Sequence, residues 1–257
     1  MKVAALYILH DDPSWLRQSM ESVYGVVDRL YMVVNERSLT GSSADDLGPV
    51  SAEILTFPDP DCKVTYRVGV WARRDPFRAE ALQRNAGLKM IWDDGFDYAL
   101  IIDSDEVYDS DQLRGMLEYA FCAPYVDFWK ALFFTYWKLP TFRVDPPEDY
   151  WPVVLVKRGH WFSSARIIAA PYTAAVIPEW LGQCSHLSYV RTDERMQAKL
   201  RNFAHAHEII PGWYEDVWKA WDTNHEMENL HPVAADHYKR AVEVPLDSLP
   251  CVLREGL

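Results

Sequence analysis

Apolar positions along the first half of the chain alternate between short unbroken runs and helical stripes. Residues 3–9 are wholly apolar and predict a strand buried on both faces. Trp15, Leu16, Met20 and Val23 then recur at helical spacing behind Asp12, a cap residue, and Pro13, which suits a first turn; Gly25 suits the end. Residues 30–34 predict a second strand closing at Asn35-Glu36, and the Ser-, Gly- and Asp-rich run 38–48 a loop. Residues 54–57 predict a short third strand, stopped by Pro58 and Pro60. Residues 58–75 read as irregular, a long loop of the kind that often carries function. From 76 to 92, Phe77, Ala81, Leu82, Ala86, Leu88 and Ile91 cover one broad helical face, broken by Gly95. Residues 98–102 form an apolar run bounded by acids, and Asp109, Ser110 or Asp111 can cap a helix over 113–121. Strand and helix alternate to residue 121, which predicts an α/β fold with a mostly parallel central sheet, flanking helices and ligands at the strands' carboxyl ends.

The second half changes character. Residues 128–137 are aromatic and β-prone, and Pro140, Pro146, Pro147 and Pro152 punctuate a predicted loop containing Glu148 and Asp149. Strands are predicted over 153–156, 165–170 and 183–190. A helix is predicted from Thr192 to about Ile209, ended by Pro211-Gly212, and a second, aromatic helix over 213–221. Residues 222–257 are mixed, and the chain has no internal repeat.

Length and composition narrow the class. The 257 residues predict one large domain, or one domain with a C-terminal extension. No apolar stretch is long enough for a membrane span, and the first apolar run is too short for a signal peptide. The four cysteines are scattered and suggest neither a zinc site nor a disulfide framework, so the expected location is cytoplasmic, the host cytoplasm for a viral protein. The net charge of −12 argues against broad nucleic-acid binding. The 11 tryptophans and 14 tyrosines exceed what a core requires, and aromatic faces stack on sugars and bases.

The chemistry concentrates behind the strand at 98–102, where Asp103, Asp105 and Glu106 follow at once. Side chains at such a strand end face a crevice. Clustered carboxylates repel, so a cation is a natural compensation, and oxygen donors favour Mg²⁺ or Mn²⁺. The competing reading is a solvated acidic turn before a helix.

The block Gln83-Arg84-Asn85-Ala86-Gly87-Leu88, followed by the apolar strand and Asp103-Ser104-Asp105, resembles the family 2-like glycosyltransferases of the GT-A (Rossmann-like) fold, which carry an Arg-Asn-x-Gly helix, a short spacer and a strand ending in Asp-x-Asp. The resemblance covers about residues 3–121. It implies a nucleotide-sugar-binding half over 1–121, an acceptor-side half of the same domain over 122–210 and a helical, aromatic extension over 211–257. It further implies a nucleoside-diphosphate-sugar donor, a UDP-sugar by preference, and Mn²⁺ or Mg²⁺. Asp103 is then expected at the donor ribose or the metal, Asp105 on the metal as the catalytic carboxylate, Asp11 at the nucleobase and Arg84 near the donor. A structural Arg84, paired with Asp97 or another acid, stands beside that role. His186 is a candidate for the late histidine that GT-A enzymes add to the metal, against the plain reading of a satisfied strand histidine. His205 and His207 are two apart and are not a chelating pair. Arg191, Arg195 and Lys199, spaced by four, form either a stripe for a diphosphate or an anionic acceptor, or a solvated face paired with Asp193 and Glu194. Glu148 and Asp149 have the composition of the family's acceptor-side Glu-Asp pair and are candidate general bases.

The expected activity is metal-dependent hexosyl transfer to a hydroxyl acceptor. One alternative is glycosylation of hydroxymethylated bases of viral DNA, disfavoured by charge but open to a basic groove around Lys157, Arg158, Arg191 and Arg195. A second is a nucleotidyltransferase, although His10-Asp11-Asp12-Pro13 stands where a glycine-rich phosphate loop belongs. A third is a non-catalytic sugar- or nucleotide-binding module.

Overall fold

The computed structural model describes residues 1–37, 46–202, 204–224 and 227–255. In chain order the strands are β1 (Val3–Leu9), β2 (Arg29–Asn35), β3 (Val64–Gly69), β4 (Tyr98–Asp103), β5 (Glu106–Val107), β6 (Phe128–Lys130), β7 (Phe133–Trp137), β8 (Leu139–Asp145), β9 (Val153–Lys157), β10 (Phe162–Ser164), β11 (Ile167–Ile168), β12 (Ala174–Val176), β13 (Cys184–Tyr189) and β14 (Arg240–Glu243). The helices are α1 (Leu16–Tyr24), α2 (Gly48–Thr56), α3 (Pro76–Asp93), α4 (Ser110–Phe121), α5 (Asp193–Asn202) and α6 (Cys251–Arg254).

The central sheet runs β12-β6-β9-β4-β1-β2-β3, and only β9 opposes the common direction. This is the expected α/β fold with a mostly parallel sheet between flanking helices. Alternation along β1 sorts its residues by face. Val3, Ala5, Tyr7 and Leu9 join the core formed with Leu16, Met20 and Val23 of α1 and Leu113, Met116 and Leu117 of α4. Ala4 and Leu6 join Ala81, Leu88, Ile91 and Trp92 of α3 on the other face.

Gly87 lets α3 lie close to the sheet. A Cβ there would sit 2.1 Å from Leu6 Cδ1 and 2.9 Å from Val33 Cγ2. Gly87→Ala is therefore expected to destabilise the fold by about 1–3 kcal/mol through overpacking. A urea midpoint equal to or above that of the parent would contradict this.

Several predicted elements are corrected. Residues 54–57 are not a strand: α2 occupies Gly48–Thr56, with Pro49 in its first turn and Val50 and Ile54 buried one turn apart. The segment 58–75 is not irregular throughout, because β3 pairs in parallel with β2 at the sheet edge. Its residues are half-buried or exposed, which erases the apolar pattern that would have revealed it. Part of the predicted loop over 38–48, residues 38–45, lies outside the described residues.

Pro140 does not open a loop; it is the second residue of β8. The chain reverses at Lys138, which has φ 54°, and the β7–β8 register is irregular at Tyr136/Trp137, where a residue without an N–H is tolerated. The predicted strand over 165–170 is broken by Ala165, with φ 30°, so β10 and β11 form a separate small antiparallel pair with Arg166 at the turn. The helix predicted to about Ile209 stops with α5 at Asn202, and a short 3₁₀ turn follows at Ala206–Glu208. There the His205 ring meets Phe77 of α3 edge-on at 5.0 Å. Residues 214–219 form a π-helical turn rather than a regular α-helix. No helix among the described residues is long and apolar enough to cross a membrane.

The second sheet runs β14-β8-β7-β13-β5. Much of the aromatic excess lies behind it: Trp137, Tyr189, Trp213, Trp218, Trp221 and Tyr238 form one buried cluster. Residues 240–243 belong to this sheet through β14 pairing with β8. The two sheets meet at the acidic turn, because β4 ends at Asp103 and β5 begins at Glu106, antiparallel to β13. Buried serines of α1 fix that turn: Ser19 Oγ donates to the Glu106 carbonyl at 2.6 Å, and the Tyr108 N–H donates to Ser22 Oγ at 3.2 Å. Asp109 then caps α4 by accepting from the N–H groups of Asp111 and Gln112.

Candidate active site

The Gln-Arg-Asn-x-Gly segment of α3 organises the strand ends beside the acids. Gln83 donates to the carbonyls of Leu9 (3.1 Å) and Val33 (2.8 Å), tying together the ends of β1 and β2. Asn85 exchanges two 2.8 Å hydrogen bonds with the backbone of Phe162, which anchors the β10–β11 pair and hence Arg166. Arg84 is buried and pairs with Glu80 and, at 3.1 Å, with Asp103. Its partner is not Asp97, which instead accepts the Lys2 N–H. Arg84 is absent from the cleft lining. Its geometry is that of a side chain that holds Asp103 from behind.

Asp103 also meets Arg166 at 3.1 Å, and Arg166 bridges onward to Glu106. Burial would raise the Asp103 carboxyl, but Arg166 and Arg84 hold it below the usual range. Burial raises the Glu106 carboxyl, and Arg166 pulls it back down. Asp105 differs in its surroundings. Arg191 takes its Oδ2 at 2.9 Å, and its Oδ1 faces His186 Nε2 at 3.8 Å. Burial would raise Asp105 too, but the groups around it, Arg191 foremost with His186 and Lys199 beside it, together outweigh burial and hold the carboxyl far below its usual range. Burial lowers His186 to about 4, so at neutral pH it is an uncharged imidazole. The tautomer with its proton on Nδ1, toward Thr135 Oγ1 at 3.4 Å, turns a lone pair on Nε2 to Asp105.

Two unprotonated donors thus face each other across a short gap, a donor set suited to a divalent cation. No group of three or more His, Cys, Asp or Glu side chains is placed to hold a metal among the described residues. An ion here would accordingly take Asp105 and His186 and fill its other positions with phosphate oxygens and water, as Mg²⁺ commonly does. Both Asp103 oxygens, by contrast, are engaged by guanidinium groups.

These residues line a cleft with two compartments. The first, about 310 Å³, lies at the carboxyl ends of β1 and β4 and includes Asp11, Asp12, Asp105, Arg191, Arg195 and Asn202. The second, about 510 Å³, is more aromatic and includes Phe133, Glu148, Tyr150, Arg166, Tyr189 and His237. Glu80, Asp103, His186, Ser188, Lys199 and Ala204 line both. The candidates Asp11, Asp103, Asp105, His186 and Arg191 are therefore brought together. Arg195 and Lys199 are half-buried, Arg195 in the first compartment and Lys199 in both; Arg191 lies just before α5, tied to Asp12 at 2.6 Å and to the Leu187 and Ser188 carbonyls.

The candidate bases separate. Glu148 lines the second compartment, where burial raises its carboxyl, the Tyr238 hydroxyl donates to it and His237 Nδ1 lies 3.6 Å away. Asp149 is exposed and outside both linings. The basic groove is not formed: Lys157 pairs with Tyr98 at the amino end of β4, while Arg191 and Arg195 lie at the carboxyl end. Arg158 donates to the Trp92 carbonyl at 2.8 Å.

Sequence reasoning gave no role to Arg166, Glu80, Ser188 or Thr135. Glu80 had a local signal, since it stands four residues before Arg84 on one helix face. Arg166 had none, because its partners are 60 or more residues away in the chain.

No family model and no curated protein matches the chain. Among solved structures it is similar to S. aureus TarS residues 1–349, at 14% identity over 52% of this chain and 36% of that one, with a TM-score of 0.35. It is also similar to a longer S. aureus TarS structure, at 15% identity over 52% of this chain and 22% of that one, with a TM-score of 0.36. The chain thus spans well under two thirds of either structure's length.

Proposed function

We propose that the chain is a glycosyltransferase that moves a sugar from a nucleoside-diphosphate sugar, a UDP-sugar in the first instance, to the hydroxyl of a sugar-like acceptor. The observation that carries this reading is the pair of compartments joined at Asp103, His186 and Ser188. The likeness of the Arg-Asn-x-Gly and Asp-x-Asp segments to GT-A glycosyltransferases supports it. The first compartment takes the nucleotide, with Asp11 and Asn202 at its wall; the second takes the acceptor between Phe133, Tyr150 and Tyr189. Asp105 and His186 would hold a divalent ion, which supplies charge compensation for the departing diphosphate. Arg191 keeps Asp105 ionised and oriented, and Arg84 with Arg166 does the same for Asp103. Glu148 accepts the acceptor's proton.

The basic test is calorimetry with UDP and Mn²⁺, joined to hydrolysis of UDP-glucose, UDP-galactose and UDP-N-acetylglucosamine. Neither binding nor hydrolysis would end this reading, and pyrophosphate release from a sugar phosphate and UTP would replace it. A pH profile tests the base. Glu148 must be ionised to act, and its burial raises its pKa, so kcat is expected to climb with pH through a midpoint above the ordinary carboxylate value of about 4.3. Glu148→Gln is expected to remove that limb and lower kcat about 10²–10⁴-fold. An unchanged limb in the variant would assign the base elsewhere.

A further inference from the structure

We propose that Lys199 is a catalytic residue of this transfer: its ammonium meets the leaving diphosphate where the two compartments join. The inference rests on the glycosyltransferase reading above. In such a reaction the bond from the sugar's anomeric carbon to the phosphate oxygen breaks and its electron pair stays on the diphosphate. A bond from the acceptor oxygen to the same carbon forms, and the acceptor proton passes to the Glu148 carboxylate. The breaking bond must therefore lie at the junction, with the nucleotide on one side and the acceptor on the other.

Among the described side chains that line both compartments, Lys199 is the one with an ammonium or guanidinium group. Three nearby guanidinium groups are engaged by acidic side chains: Arg191 by Asp12 and Asp105, Arg84 by Glu80 and Asp103, Arg166 by Asp103 and Glu106. Arg195 lines the first compartment but not the second, and donates to the Asp11 carbonyl at 3.1 Å. Lys199 Nζ donates to Ser188 Oγ and lies 3.9 Å from Asp105 Oδ2 and 5.5 Å from the centre of the Tyr189 ring. An ammonium has three protons to donate, so this arrangement leaves capacity for phosphate oxygens. Ser188 acts as a positioning residue that aims Nζ along the cleft. A fixed cation beside developing charge is the arrangement that lowers a barrier most, because it needs no reorganisation during the reaction.

The experiment compares wild type, Lys199→Met, Lys199→Arg, Lys199→Ala and Ser188→Ala in hydrolysis of the three UDP-sugars above, with UDP calorimetry and thermal melts on each protein. Lys199→Met is expected to lower kcat about 10²–10³-fold with a much smaller change in KM, and Lys199→Arg to recover part of the loss. Methylamine added to Lys199→Ala is expected to raise its kcat in proportion to concentration. A Lys199→Met enzyme with kcat within threefold of wild type would overturn the inference and leave the transferase reading standing. A wild type that neither binds UDP nor hydrolyses any of the three donors would overturn both. If Lys199→Met fails to melt cooperatively, Lys199→Arg and Ser188→Ala carry the comparison. Full activity in Ser188→Ala together with no amine rescue would then count against the proposal.

Discussion

Asp105→Asn is expected to reduce turnover of a UDP-sugar about 10²–10³-fold, the rate equivalent of several kcal/mol of lost charge stabilisation. The carboxylate has two faces with separate duties. Oδ2 accepts from Arg191, and Oδ1 faces His186. An amide can still accept one hydrogen bond from Arg191, which also keeps Asp12 and two backbone carbonyls, so the fold is expected to survive. What the amide cannot supply is a negative charge opposite a neutral imidazole. The variant is accordingly expected to lose the Mn²⁺ dependence of UDP binding while melting within a few degrees of wild type. Unchanged turnover would remove Asp105 from the chemistry.

The second large effect concerns stability. Arg84 has 1% of its side chain exposed and lies between Glu80 and Asp103. Arg84→Met removes one cation and leaves two carboxylates facing each other. Breaking a buried pair from one side costs about 3–5 kcal/mol, and Asp103's partial exposure and its second partner, Arg166, place this case at the low end. A loss of about 3 kcal/mol corresponds to a fall in Tm of roughly 6–12 °C for a chain of this size. Glu80→Gln added to Arg84→Met is expected to recover part of it, which a double-mutant cycle would read as coupling. The deficit also depends on pH. The folded-state pKa of Asp103 is depressed, so its contribution is present above the ordinary carboxylate pKa and is lost as pH falls. The gap between Arg84→Met and wild type is therefore expected to be widest near neutrality and to narrow below about pH 4. A gap independent of pH would point to lost packing alone.

The parts of this architecture legible from the chain are those where burial writes a periodic pattern. β1, β2 and β4 are continuous apolar runs because helices cover both faces, and α3 shows a broad apolar stripe. The place of the acids at 103 and 105 in a cleft was legible because they follow such a strand directly. β3 was not, since an edge strand with Tyr66, Arg67 and Val68 exposed carries no alternation. β8 was hidden by Pro140, whose missing N–H is accommodated by an irregular register that no local rule reveals. Within the site, the charge partners of the acids were the least legible element. A divalent ion was expected to compensate Asp103, Asp105 and Glu106; the structure adds Arg84 of α3 against Asp103, and Arg166, held in place by Asn85 through the β10–β11 pair, against Asp103 and Glu106. Glu148 and Asp149 are neighbours in sequence with the same composition signal, and only the fold separates the one in the cleft from the one in solvent.

The turn from β4 to β5 spans just two residues, Ser104 and Asp105, and it is the place where the two sheets are stitched together. Its backbone is clamped from the far side as well, since the Leu187 N–H donates to the Asp105 carbonyl at 2.8 Å. This hinge-free seam divides evolutionary freedom unevenly. Substitutions elsewhere in the second sheet leave the length of this seam unchanged, whereas insertion of even one residue between positions 103 and 106 would shear the two sheets out of alignment.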